Sequence, residues 1–157
     1  MKKEKAAFGA GCFWHVEEHF RKITGVLDTT VGYMGGTLEK PSYGAVCTGR
    51  TGHAESCLIE FDAEKISYPK LLDEFWKIHD STQLNRQGLD IGTQYRSIIF
   101  YYNEKQKKLA LQSKESEQKK AKKKIVTEIV KASKFYEAEE SHQKYLMKRN
   151  LKACVTN

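Results

Sequence analysis

No stretch of this 157-residue chain is apolar for long enough to span a bilayer, and no internal repeat or low-complexity linker divides it. Met1-Lys2-Lys3 begins in the manner of a secretory signal, but Glu4 and Lys5 follow and the apolar core of such a signal is missing. A cytoplasmic chain with no membrane partner is the expectation. The four cysteines, Cys12, Cys47, Cys57 and Cys154, are far apart and include no Cys-x-x-Cys pair, which argues against a disulfide scaffold. Thiols in a reducing compartment stay free unless their oxidation belongs to a catalytic cycle. A metal site is not expected either: Cys47, His53 and Cys57 match no zinc spacing and lack a fourth ligand.

What is present suits a single globular α+β domain over residues 1–157, with residues 150–157 a flexible tail carrying Cys154. The chain is 39% hydrophobic and 11% aromatic, and 27 basic against 20 acidic residues leave a net charge of +7. The densest basic cluster, Lys119, Lys120, Lys122, Lys123 and Lys124, has no interleaved aromatic. It reads as a solvated helix end before it reads as a nucleic-acid patch.

The pattern then places elements. Lys5 to Gly9 is a short strand, and glycines at 9 and 11 allow a sharp exit from it. Val16, Phe20 and Ile23 recur at helical spacing, with Glu17, Glu18, Arg21 and Lys22 mostly on the other side, and Gly25 stops this helix. Val26 to Val31 is strand-like and a glycine-rich loop follows through Gly52. From His53, alternation puts His53, Glu55, Cys57, Ile59 and Phe61 on one strand face. Leu71, Leu72, Phe75, Trp76 and His79 form a helical stripe after Pro69, followed by an amide-rich loop from Asp80 to Gln94. The spacing predicts a central strand over 95–102, a polar helix from Glu104 to about Lys122, a strand over 125–130 and a final helix from Glu137 to Arg149.

Cys12 falls where strand gives way to helix, and unpaired N–H groups there stabilise an anion. A thiol in that position is expected to titrate below its usual value of about 8.5 and to serve as a nucleophile. The alternative is a small buried hydrophobe. Phe13 and Trp14 are either core or a cage for a methyl or thioether group. Glu55 shares a face with apolar side chains, so it is either a proton donor with a raised pKa or a carboxylate paired with His53 or a lysine.

These segments resemble the A-type peptide-methionine sulfoxide reductases. The matching stretches are Gly11-Cys12-Phe13-Trp14, Tyr43-x-x-Val46-Cys47-Thr48-Gly49 and Thr51-Gly52-His53-Ala54-Glu55, then Gln87-Gly88-x-Asp90-x-Gly92-Thr93-Gln94-Tyr95-Arg96-Ser97. Phe135-Tyr136-x-Ala138-Glu139 and His142-Gln143-x-Tyr145-Leu146 complete a set running from about Ala7 to Leu146. The resemblance implies a two-layer sandwich, a mixed sheet with packed helices around a ferredoxin-like core. It implies reduction of methionine S-sulfoxide, free or in oxidised proteins, without a bound cofactor or metal and in a monomer. It assigns Cys12 as nucleophile, Glu55 as proton donor, Tyr43 and Tyr95 as holders of the sulfoxide oxygen, and Asp90 as a polar residue of the same site. Phe13 and Trp14 become the methyl pocket. Cys12 would pass through sulfenic acid to a disulfide with Cys154, or else Cys57, reduced in turn by thioredoxin. His15, Ser81 and Leu89 depart from the common family pattern. Two other readings are a different cysteine enzyme, such as a thiol peroxidase or an acyl-transfer catalyst using His53, and a basic nucleic-acid-binding domain.

Overall fold

Alternating apolar positions in the first hundred residues build a sheet buried on both faces. In a computed structural model, residues 1–153 are described. The elements in chain order are β1 (Lys3–Gly9), α1 (Phe13–Arg21), β2 (Val26–Met34), α2 (Tyr43–Cys47), β3 (Ala54–Asp62) and α3 (Tyr68–Lys77). A small hairpin of β4 (Arg86–Gln87) and β5 (Asp90–Ile91) precedes a 3-10 turn, Thr93–Tyr95. Then come β6 (Ile98–Tyr101), α4 (Glu104–Lys120), β7 (Glu128–Lys131), β8 (Tyr136–Glu137), a second 3-10 turn at Glu140–His142, and α5 (Tyr145–Lys148).

The main sheet has the order β7-β6-β1-β3-β2-β8. Its pairs are antiparallel except β6 with β7, so the sheet is mixed. With α1 and α3 as crossovers, β6-β1-β3-β2 is the β-α-β-β-α-β arrangement of a ferredoxin-like core, as the resemblance implied. Cys57, Ile59 and Phe61 of β3 join Phe8, Val16, Phe20, Leu71, Leu72 and Phe75 in the larger core, so α1 and α3 lie on that face. Ala110 of α4 joins the same core. Ala54 and Leu58 point to the other face, against Met34, Ile98 and Phe100. The alternation expected of β3 therefore holds, and Glu55 points to the helical side. No described helix is long and apolar enough to cross a membrane.

The departures from the expected elements have identifiable causes. β2 does not end at Val31 but continues to Met34, because Gly32 admits β8: a Cβ there would meet the Tyr136 carbonyl and the Phe135 ring. The loop that follows contains α2, whose start is capped by Ser42 accepting from the Ala45 N–H. The strand expected over 95–102 is shorter and second from the edge, since Tyr95 ends a 3-10 turn. The strand expected over 125–130 starts at Glu128, because the N–H groups of Ile125 and Val126 go to Gln118 Oε1 and the Ser81 carbonyl. Glu17 and Glu18 are buried rather than solvated: Glu17 accepts from Thr29 and Lys144, Glu18 from Arg21. The final helix is broken into β8, a 3-10 turn and one turn of α5. Lys144 at φ 53° interrupts it, and the Gln143 amide pairs with both backbone groups of Val31 at 2.9 and 2.8 Å.

Candidate active site

Cys12 is the N-cap residue of α1, at φ −60° and ψ 122°, and its carbonyl accepts from the N–H groups of His15 and Val16. The turn into the helix runs through Gly11 at φ +91°, where a Cβ would also press on the Gln87 side chain at 3.0 Å. The glycine is thus required twice, by conformation and by the closeness of the β4–β5 loop.

The next residue brings the acid. The Phe13 N–H donates to Glu55 Oε1 at 3.2 Å, while Glu55 Oε2 is buried with no hydrogen-bond partner. Burial raises the Glu55 pKa to about 8, the Phe13 N–H opposes the rise, and the charge of Asp90 adds to it. The carboxyl is therefore predominantly neutral at pH 7 and able to donate. His53 is not its partner: His53 Nδ1 accepts from the Gly36 N–H at 3.1 Å and Nε2 donates to the Leu38 carbonyl at 2.7 Å. That commitment to the loop also removes the imidazole from any acyl-transfer role with Cys12.

Cys12 itself corrects the expectation of a lowered pKa. Burial first, then the charges of Glu55 and Asp90, push the thiol up to about 12, against the backbone N–H groups of Trp14 and His15. Desolvation exceeds what the open end of a short helix supplies. The Glu55 contribution disappears when that carboxyl holds its proton, so the two groups ionise in opposition.

Tyr43 and Tyr95, both half-buried, converge on this pair. Burial raises each hydroxyl's pKa, and the charge of Glu55 is the next cause for both. Both remain hydrogen-bond donors at all working pH values. Asp90, exposed on β5, acts electrostatically on Cys12, Glu55 and Tyr95. Phe13 is fully buried, its ring 6.3 Å from that of Tyr43 and 5.5 Å from that of His142. Trp14 is half-buried, donates from Nε1 to His142 Nδ1 at 3.0 Å and stacks on Tyr145 with ring centroids 3.7 Å apart. Of the two aromatics, only Trp14 has surface to offer a substrate here; Phe13 supports from beneath.

Sequence reasoning gave no role to Tyr33, Glu139 or Cys47. Tyr33 donates to Glu139 Oε1 at 2.9 Å, and Glu139 Oε2 accepts from the Tyr43 N–H at 3.0 Å. Glu139 thereby fixes the start of α2 and with it Tyr43. Alternation along Thr29, Val31 and Tyr33 was the available signal, since Tyr33 pairs with Glu55 across β2 and β3. Cys47 is exposed at the end of α2 and hydrogen-bonds with Tyr43. Cys57 is wholly buried in the larger core, with its thiol pKa well above the ordinary value through burial. Cys154 lies outside the described residues. Among the described residues no cluster of three His, Cys, Asp or Glu side chains could hold a metal ion.

Beside Cys12 opens a cavity of about 380 Å³. Its walls include Cys12, His15, His19, Gln87, Asp90 and Ala153, the last described residue. A nucleophile-sized thiol, a neutral buried acid and two tyrosine hydroxyls suit transfer of an oxygen atom from a weakly electrophilic acceptor that must be protonated before attack.

Comparison with known proteins agrees with that chemistry. The chain is 55% identical over 153 residues to peptide methionine sulfoxide reductase MsrA of Methanothermobacter thermautotrophicus, covering 96% of this chain and 90% of that protein. The fold matches methionine sulfoxide reductase A of Corynebacterium diphtheriae with a TM-score of 0.92 at 36% identity, over 97% of this chain and 77% of that one. Reduced Mxr1 from Saccharomyces cerevisiae matches with a TM-score of 0.91 at 38% identity, over 95% and 87% of the two chains. Mxr1 in complex with Trx2 matches with a TM-score of 0.67 at 26% identity, over 99% and 88%. The profile of the family described as peptide methionine sulfoxide reductase matches residues 4–157, and the chain belongs to that family.

Proposed function

We propose that Cys12 is the nucleophile, and Glu55 the proton donor, with which this reductase returns methionine sulfoxide to methionine. The observation that carries the reading is the buried Glu55, joined to the Cys12 turn through the Phe13 N–H and otherwise without a partner on Oε2. With its pKa near 8 it can protonate the sulfoxide oxygen at neutral pH. Tyr43 and Tyr95 steady that oxygen by hydrogen bonds, and Trp14, backed by Phe13, borders the S-methyl group. Asp90 completes the polar rim.

In the reaction, the Cys12 sulfur attacks the sulfoxide sulfur as Glu55 gives its proton to the oxygen. The thiol proton replaces the one Glu55 has lost. The oxygen then passes to Cys12, the methionine sulfur is reduced, and Cys12 is left as sulfenic acid. A second thiol must close the cycle, and Cys154 is the residue proposed. In support, Ala153 lines the Cys12 cavity and Cys154 follows it directly, whereas Cys57 is sealed in the core. Thioredoxin is the proposed reductant of the disulfide, by thiol exchange; Mxr1, a structural neighbour, has been seen with Trx2. The substrates proposed are free methionine sulfoxide and oxidised proteins.

Single-turnover assays test the assignment. Cys12→Ser should form no methionine from a methyl sulfoxide, and turnover by that variant would refute the mechanism. Glu55→Gln should slow the first step most at neutral pH, while an unchanged rate would remove Glu55 as the donor.

A further inference from the structure

The chain neighbours of Tyr95 are tied to a single stretch of backbone. Thr93 Oγ1 donates to the Gly49 carbonyl at 3.3 Å, Gln94 Nε2 to the Cys47 carbonyl at 3.4 Å, and Arg96 Nη2 to the Gly52 carbonyl at 2.9 Å. These three carbonyls belong to the end of α2 and the connection from it to β3. α2 begins with Tyr43, and β3 carries Glu55 as its second residue. The 3-10 turn that holds Tyr95 is therefore fastened to the chain that links the other two groups assigned to the sulfoxide oxygen.

Of the three side chains, Arg96 has the firmest hold. Its Nη1 donates to the Thr93 carbonyl at 3.0 Å, inside its own turn, and its Nε to Glu128 Oε2 of β7 at 2.8 Å. One planar guanidinium thus joins acceptors from three segments, and the side chain is only 13% exposed. Charge-assisted bonds of this kind are roughly twice as strong as neutral ones, whereas the bonds from Thr93 and Gln94 are neutral and long. The main chain is close-packed at the same place. The carbonyls of Glu55 and Arg96 lie 3.1 and 3.4 Å from where a Cβ on Gly9 would stand, three residues before Cys12.

We propose that Arg96 is a positioning residue for the sulfoxide step, anchoring the Tyr95 turn to the start of β3 so that the Tyr95 hydroxyl meets the same oxygen as Glu55. The inference rests on the proposed roles of Tyr95 and Glu55. Glu55 is fixed by the sheet, since β3 lies between β1 and β2. The turn has no such ladder, and Arg96 supplies its register instead. It grips the carbonyl two residues before Tyr95 and the carbonyl three residues before Glu55. Without the guanidinium fork the turn shifts against β3, and a displacement of about 1 Å at a group that orients the substrate is enough to cost about a hundredfold in rate.

Single-turnover reduction of free methionine sulfoxide by the full-length reduced protein, without thioredoxin, tests this as a double-mutant cycle. Rates are taken per folded enzyme, with the folded fraction read from urea unfolding. Arg96→Met should slow methionine formation about ten- to a hundredfold, as should Tyr95→Phe. The double variant should be no slower than Tyr95→Phe alone, because a misplaced hydroxyl and a missing one remove the same contribution. Arg96→Lys keeps a cation for Glu128 but not the fork, and it supplies the same comparison if Arg96→Met does not fold. It should be slower than the wild type, yet add nothing to the loss in Tyr95→Phe. A wild-type rate per folded enzyme in the Arg96 variants, or losses that multiply when combined with Tyr95→Phe, would overturn the role of Arg96 alone. A wild-type rate in Tyr95→Phe would instead overturn the reading of Tyr95 on which the proposal stands.

Discussion

Burying Glu55 has a cost that a pH titration can expose. The folded protein holds the Glu55 proton up to a pH of about 8, against an ordinary value of 4.5. Between those values the native state binds more protons than the unfolded chain, so stability falls as pH rises, by about 1.4 kcal/mol per pH unit for this group. The penalty is absent below the lower value, grows through the window and is complete above the upper one. Glu55→Gln removes the titration but keeps an acceptor for the Phe13 N–H. Relative to that variant, the reduced wild type should therefore lose about 4 kcal/mol of unfolding free energy between pH 5 and pH 9. Urea unfolding of both proteins at several pH values measures this difference directly, with all other titrating groups common to the pair. A difference that stays constant within about 1 kcal/mol over that range would refute the claim that Glu55 is neutral in the folded enzyme at pH 7.

Other consequences are more local. With thioredoxin present, Cys154→Ser should form about one methionine per enzyme and stop; continued turnover in a steady-state assay would exclude it as the recycling thiol. Tyr43→Phe and Tyr95→Phe should each slow the single-turnover step about ten- to a hundredfold by removing a donor to the sulfoxide oxygen. If both variants react at the wild-type rate, the oxygen is held elsewhere. Lys144→Met leaves the buried Glu17 carboxylate without its cation. It should cost about 3 kcal/mol in urea unfolding at neutral pH, and no loss would mean that the Thr29 hydroxyl and the backbone N–H of residue 144 suffice for Glu17.

Much of the sheet was legible because its strands obey local rules. β3 alternates cleanly, and that alternation alone put Glu55 among Cys57, Ile59 and Phe61. α3 follows its apolar stripe, and the polar helix expected from Glu104 to about Lys122 is α4. The positions of Cys12, Tyr43 and Tyr95 came from a resemblance rather than from periodicity. The thiol's raised pKa was illegible for a physical reason: the helix start is visible in sequence, but the burial of Cys12 and the charge of Glu55, 43 residues away, depend on the tertiary fold. The C-terminal elements were misread on similar grounds. Residues 137–149 have helical spacing, yet their backbone and side-chain groups are claimed by β2 and α1, and long-range partners overrule propensity.

That irregular segment explains how the site is held together. A continuous helix over 137–149 would satisfy its own N–H and C=O groups and leave few of them for other elements. Broken at Lys144, the segment instead lets the Gln143 amide grip Val31, while Glu139 fixes Tyr43 and Tyr33, and His142 accepts from Trp14. Lys144 then reaches both Glu17 of α1 and the Thr29 carbonyl of β2. Every one of these bonds joins the C-terminal segment to α1, to β2 or to α2, the elements surrounding Cys12. Beyond α5, Ala153 forms part of the cavity wall with Cys12 and His15. The same breaks that cost the segment its helix thus free Glu139 to fix the start of α2, which carries Tyr43, and His142 to accept from Trp14, the second residue after Cys12.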